Sequence, residues 1–204
     1  MAAALGAGLM FALHRPEQAD LLLRKSAIVF ENTDPGASDH FNAELSPDGR
    51  RIAYLSRDKL WIRDLEKADP EEVEASVSVV ALFWSPDSKW LAFAERSALW
   101  KVPVAGGKPA KIATLKGAGF TTVGGGAWGR DDRILFSTGN DDIYSVSANG
   151  GDPLAFRDTT AVFSDFHEVT GLPGGKGWLT IGHRRGKTYD TLCLVTPSGD
   201  LKEL

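Results

Sequence analysis

At 204 residues the chain is long enough for a domain with a sizeable core, and 43% apolar with 25% charged residues is a globular composition that excludes wholesale disorder and a polytopic membrane protein. The net charge of −4 argues against a nucleic-acid partner, which calls for a basic excess. A single cysteine, Cys193, excludes an internal disulfide.

In chain order, residues 1–13 (MAAALGAGLMFAL) come first, uncharged and almost without polarity, followed by His14, Arg15 and Pro16. Thirteen residues are too few to cross a bilayer, which takes about 20. No basic stretch precedes them, as a signal peptide would require. Residues 1–16 therefore read as the end of a membrane helix, with an atypical signal or anchor and an apolar helix packed on the domain as alternatives. Residues 17–40 read as a linker holding one strand, Ala27 to Glu31, that has no repeat of its own.

From residue 41 the chain repeats itself. Residues 41–65, 80–104 and 124–148 share one plan: an apolar strand, a four-residue turn, a second apolar strand, a polar turn and a third strand. The turns are Ser46-Pro47-Asp48-Gly49, Ser85-Pro86-Asp87-Ser88 and Gly129-Arg130-Asp131-Asp132, with a weaker fourth at Leu172-Pro173-Gly174-Gly175. Their starts at 46, 85, 129 and 172 are offset by 39, 44 and 43 residues. Proline presets φ at the first central position, Asp bonds nearby backbone, and Gly accepts positive φ.

A period near 40–45 residues with four short strands is that of a β-propeller blade. The predicted fold is all-β, with about four four-stranded blades at roughly 41–77, 78–115, 121–157 and 165–204 within a propeller segment 41–204. Fourth strands are expected at Glu72 to Val77, Pro109 to Leu115, Asp152 to Arg157 and Leu201 to Leu204. In WLAFAE and RILFST both faces are apolar or small, as expected of a strand sandwiched between blades. Closure with four blades is uncommon, so an open arc that self-associates through its edges is expected, with Ala27 to Glu31 as a closing strand.

The SPDG turn, the apolar strand after it and the Leu60-Trp61-Ile62-Arg63 strand resemble the repeats of TolB-like, WD-like β-propellers. Phe83-Trp84-Ser85-Pro86-Asp87-Ser88, Gly125-Gly126-Ala127-Trp128, Ile134-Leu135-Phe136, Ile143-Tyr144-Ser145-Val146 and Gly150-Gly151-Asp152-Pro153 extend it. In motif order the chain resembles the C-terminal propeller of bacterial membrane-anchored Ser/Thr protein kinases. That resemblance covers about residues 26–204. It implies a sensor or interaction domain outside the cytoplasmic membrane, tethered by the N-terminal segment. A periplasmic TolB-type propeller and the gating propeller of a serine peptidase share the repeat. The fourth turn departs from the pattern, because Gly174 replaces the usual Asp.

Chemistry is sought motif by motif. No Gly-rich loop, strand lysine, H-R-D or D-F-G set exists, and Asp165-Phe166 is followed by His167. The G-x-S-x-G elbow is absent, and Ser56-Arg57-Asp58-Lys59 falls in a turn instead of opening a helix. His167-Glu168 begins an H-E-x-x-H pattern, but Gly171 stands where the second histidine must be. His14, His40, His167 and His183 are widely spaced, so each reads as a surface or strand-end residue. Asn140-Asp141-Asp142 with Asp131-Asp132 is the densest acidic region, and it reads as solvated turns. Trp84 and Trp128 hold the same place in their blades, which favours packing over a base- or sugar-stacking face. His183, Arg184, Arg185 and Lys187 form a basic hairpin tip, the candidate partner-facing loop. The expectation is a binding module that is no enzyme, with no cofactor, no metal and no nucleic acid.

Overall fold

The computed structural model describes residues 43–56, 59–74, 79–115, 123–138, 142–155 and 162–204. The N-terminal apolar segment, the strand Ala27 to Glu31, His14, His40, Arg57, Asp58, Asn140 and Asp141 lie outside the described residues. Among the described residues, no helix is long and apolar enough to cross a membrane.

Among the described residues, sixteen strands form four antiparallel sheets, each a meander in chain order. Blade 1 holds β1 (Ala43–Leu45), β2 (Arg51–Ser56), β3 (Lys59–Asp64) and β4 (Glu71–Val73). Blade 2 holds β5 (Val79–Trp84), β6 (Trp90–Glu95), β7 (Ala98–Pro103) and β8 (Ala110–Thr114). Blade 3 holds β9 (Gly125–Trp128), β10 (Arg133–Ser137), β11 (Ile143–Ser147) and β12 (Leu154–Ala155). Blade 4 holds β13 (Phe163–Gly171), β14 (Trp178–Arg184), β15 (Asp190–Val195) and β16 (Leu201–Glu203). The all-β repeat architecture read from the sequence is the one observed.

Alternation along the central strands sorts side chains between neighbours. On β6, Leu91 and Phe93 pack toward blade 1 with Ala53 and Leu60, while Ala92 and Ala94 pack toward blade 3 with Ile134 and Phe136. On β10, Leu135 turns the other way, to blade 4, and meets Phe163, Phe166, Trp178 and Cys193. Leu91, Ile134, Leu135 and Phe136 are wholly buried. This explains why these strands read as apolar on both faces.

Three apolar clusters therefore join blades 1–2, 2–3 and 3–4. Among the described residues, none joins blade 4 to blade 1, so the ring is not closed.

The β1–β2 and β5–β6 turns are copies. Ser46 Oγ donates to Asp48 Oδ1 at 2.6 Å, and the Asp48 carboxylate accepts from the Arg50 amide at 3.0 Å. Ser85 Oγ donates to Asp87 Oδ1 at 2.6 Å, with the Lys89 amide at 3.1 Å. Both carboxyls sit below the usual carboxylate range, first because of the serine hydroxyl bond. Gly49, Ser88 and Asp132 hold the same left-handed position, at φ 69°, 59° and 58°. Gly129 leaves the third turn without a serine, and Asp131 instead accepts from Arg133 Nε at 2.6 Å. The fourth turn is a short 3-10 stretch, Pro173–Gly175, with Gly174 at φ 75°.

Candidate functional site

The four β-turns and the inner strands that precede them converge on one cavity of about 480 Å³. Blade 1 supplies Glu44, Leu45 and Pro47, and blade 2 supplies Trp84 and Pro86. Trp128 and Arg130 come from blade 3, and Pro173 and Trp178 from blade 4. The tryptophans line this funnel because each ends or begins a strand beside its turn. Trp84 Nε1 donates to the Glu44 carbonyl at 2.9 Å, locking blade 2 to blade 1 at the rim. Burial raises the Glu44 carboxyl above its ordinary value. At Asp131 burial also pushes upward, but the Arg133 guanidinium and amide outweigh it and the carboxyl is lowered. Trp128 Nε1 is buried and has no hydrogen-bond partner among the described residues.

The close approach of blades at the funnel depends on β9. A Cβ on Gly125 would lie 2.9 Å from Glu168 Cα, and one on Gly126 would lie 2.9 Å from Phe83 Cε1. Only hydrogen fits between the inner strands of blades 2, 3 and 4. The Glu168 amide donates to the Gly124 carbonyl at 2.9 Å across the same approach.

At the other end of blade 4, Asp165, His167 and His183 come together. Asp165 Oδ1 lies 2.6 Å from His183 Nδ1 and 3.1 Å from His167 Nε2. His183 Nε2 lies 3.1 Å from Asp190 Oδ1. The imidazole centroids are 4.8 Å apart. One ligand atom from each of Asp165, His167 and His183 lies within 4.8 Å of the others, spacing that could hold a metal ion.

Two register shifts produce this arrangement, between Phe163 and Asp165 and between His167 and Thr170, with Glu168 at φ 54°. They turn Phe163, Phe166 and Val169 toward blade 3 and leave Asp165 and His167 on the opposite face. Asp165 pairs with His183 across the β13–β14 hairpin.

This corrects the expectation of a chain with no metal-site constellation. H-E-x-x-H does fail, yet His167 and His183, read as separate strand-end residues, are neighbours. Sixteen positions separate them, and only the cross-strand register brings them together. The available signal was D-x-H at 165–167 facing a histidine across a hairpin centred on Gly174.

The remaining candidates fall into two groups, the repeat turns on the funnel rim and the basic hairpin tip of blade 4. Ser46, Pro47, Asp48, Gly49, Ser85, Pro86, Asp87 and Ser88 form adjacent turns on the funnel rim, and the Asp48 amide donates to Ser88 Oγ at 3.1 Å. Asp131, Asp132, Pro173 and Gly174 complete that rim. Of the basic hairpin tip, Arg184 Nη1 is held by Glu203 at 2.6 and 2.7 Å, and the Arg185 amide donates to the Val162 carbonyl. Lys187 is exposed.

No family model and no curated protein matches the sequence. Solved structures do match in fold. TolB from Acinetobacter baumannii matches at a TM-score of 0.63 and 16% identity, over 80% of this chain and 42% of its own. An oligogalacturonate lyase from Vibrio parahaemolyticus matches at 0.62 and 14%, over 81% and 52%. The β-propeller domain of the Trilobed protease from Pyrococcus furiosus matches at 0.58 and 18%, over 79% and 56%. The chain thus spans about half the length of these propeller proteins. At such identities the likeness shows the fold alone. Enzymes stand among its bearers, so together with the Asp165–His167–His183 cluster they overturn the expectation that enzymatic function can be set aside.

Proposed function

We propose that this chain is a propeller interaction module that takes its ligand in the funnel at the turn end. The observation that carries this is the cavity of about 480 Å³ to which all four blades contribute. Its wall is aromatic and proline-rich, with Trp84, Trp128, Trp178, Pro47, Pro86 and Pro173, and charges stand at Glu44, Arg130 and Asp131. Such a wall suits an extended segment of a partner protein, with an apolar side chain against the indoles. Displayed peptides selected on the wild-type chain test it. Leu45 is 57% exposed, so Leu45→Arg narrows the funnel without disturbing the core. Selected peptides should lose at least tenfold in affinity for that variant, about 1.4 kcal/mol. Equal binding to both proteins would remove the funnel as the site.

A narrower form rests on motif order. The resemblance of residues 26–204 to kinase-linked propellers supports a sensor domain outside the membrane, and the TolB likeness supports a periplasmic interaction role. The reading frame upstream of Met1 discriminates: a Ser/Thr kinase domain there supports the sensor form, and its absence rejects it.

A further inference from the structure

We infer that Asp165, His167 and His183 form a binding site for a divalent first-row transition-metal ion. The site is separate from the funnel. His183 lies five residues along β14 from Trp178, about 17 Å at the usual rise per residue.

The donor set is two imidazoles and one carboxylate, all on one face of blade 4. Two imidazoles with a carboxylate and open positions suit zinc, iron(II) and their neighbours, whereas calcium and magnesium take oxygen cages. Donors at about 2.0–2.1 Å from one ion stand at most about 4.2 Å apart. A tetrahedral ion sets its donors about 3.4 Å apart, so the cluster's 4.8 Å limit closes by a combined movement of about 1.4 Å, in side chains that are 20% to 43% exposed.

The surroundings match a metal site in two further respects. His183 presents Nδ1 to the cluster and Nε2 to Asp190 at 3.1 Å. A carboxylate on the far nitrogen fixes the tautomer, orients the ring and raises its basicity toward a metal. Both histidine backbones are also pinned by cross-strand hydroxyls. Thr180 Oγ1 donates to the His167 carbonyl at 2.6 Å, and Ser164 Oγ donates to the His183 carbonyl at 3.0 Å. Three ligands leave at least one position for water or a further donor.

The alternative is a carboxylate bridging two imidazoles by hydrogen bonds, with no metal affinity. Isothermal titration of the chelator-treated full chain with Zn²⁺ decides between them, supported by the visible spectrum of the Co²⁺ form. One equivalent should bind. His167→Ala, His183→Ala and Asp165→Asn should each weaken binding at least 100-fold, and Asp190→Asn about tenfold. Millimolar Ca²⁺ should not displace Zn²⁺. Circular dichroism confirms that each variant is folded. The site is refuted if the wild-type chain takes up no Zn²⁺ at 100 μM, if the three ligand variants bind as well as wild type, or if Ca²⁺ displaces the ion.

Discussion

Gly125→Ala probes the convergence of the inner strands, and Gly151→Ala is its matched control. The two glycines share a backbone that L side chains rarely adopt, φ 139° and 141°. Occupying that region costs a residue with a Cβ about 1–3 kcal/mol. They differ in space. A Cβ at Gly151 meets nothing within 4 Å, whereas at Gly125 it would lie 2.9 Å from Glu168 Cα and 3.0 Å from the Val169 amide nitrogen. Those are backbone atoms of blade 4, hydrogen-bonded in place, so relief requires blades 3 and 4 to separate. Overpacking of that kind adds about 1–3 kcal/mol. Gly151→Ala should therefore cost about 1–3 kcal/mol and Gly125→Ala about 2–6 kcal/mol. For a domain stable by about 5–15 kcal/mol the second is a large fraction. Urea unfolding followed by far-UV circular dichroism measures both, at unchanged slope. Losses equal to within about 0.5 kcal/mol would refute the close approach of β9 to β13.

Other outcomes follow from the same geometry. Cys193 is fully buried, and burial first, then the Glu203 charge, pushes its thiol up to about 11, so alkylating agents at pH 8 should label it only after unfolding. Native labelling at the rate of a small thiol would contradict its place between blades 3 and 4. Asp48 and Asp87 have folded pKa values below the ordinary one, so their contribution is present above about pH 4 and is lost as pH falls through the folded value. Ser85→Ala should thus destabilise the chain at pH 7 and progressively less as the pH falls through the folded value, and a gap that grows in acid would reverse the assignment. Leu192 is 46% exposed on the face of blade 4 that points away from blade 3. Sedimentation should show concentration-dependent self-association that Leu192→Asp reduces, and a wild-type monomer over a wide concentration range would count against an open arc that pairs through this face.

The blades were legible in the sequence because their causes are local. Turn residues recur at 46, 85 and 129, and the strands after them alternate or run apolar on both faces, as sandwiched strands must. The edge of legibility is visible in blade 4. Its turn lacks the Ser-Pro-Asp signal, and two bulges break the alternation of β13, the longest strand among the described residues, so the face each of its residues takes is not legible in the sequence. The funnel was written in Trp84 and Trp128, which were assigned to packing alone, and both roles hold because a strand-end residue beside its turn touches its neighbour blade and the axis together.

The sequence by itself determined the repeat, the number of sheets and the apolar faces, since each follows from neighbours within a few residues. Only the tertiary structure decided that Asp165, His167 and His183 share one face. Their meeting depends on hairpin register, and a slip of one residue would send His183 to the side of Phe166. That register is held by aromatic packing of Phe163 and Phe166 against blade 3, a contact between segments that no short motif records.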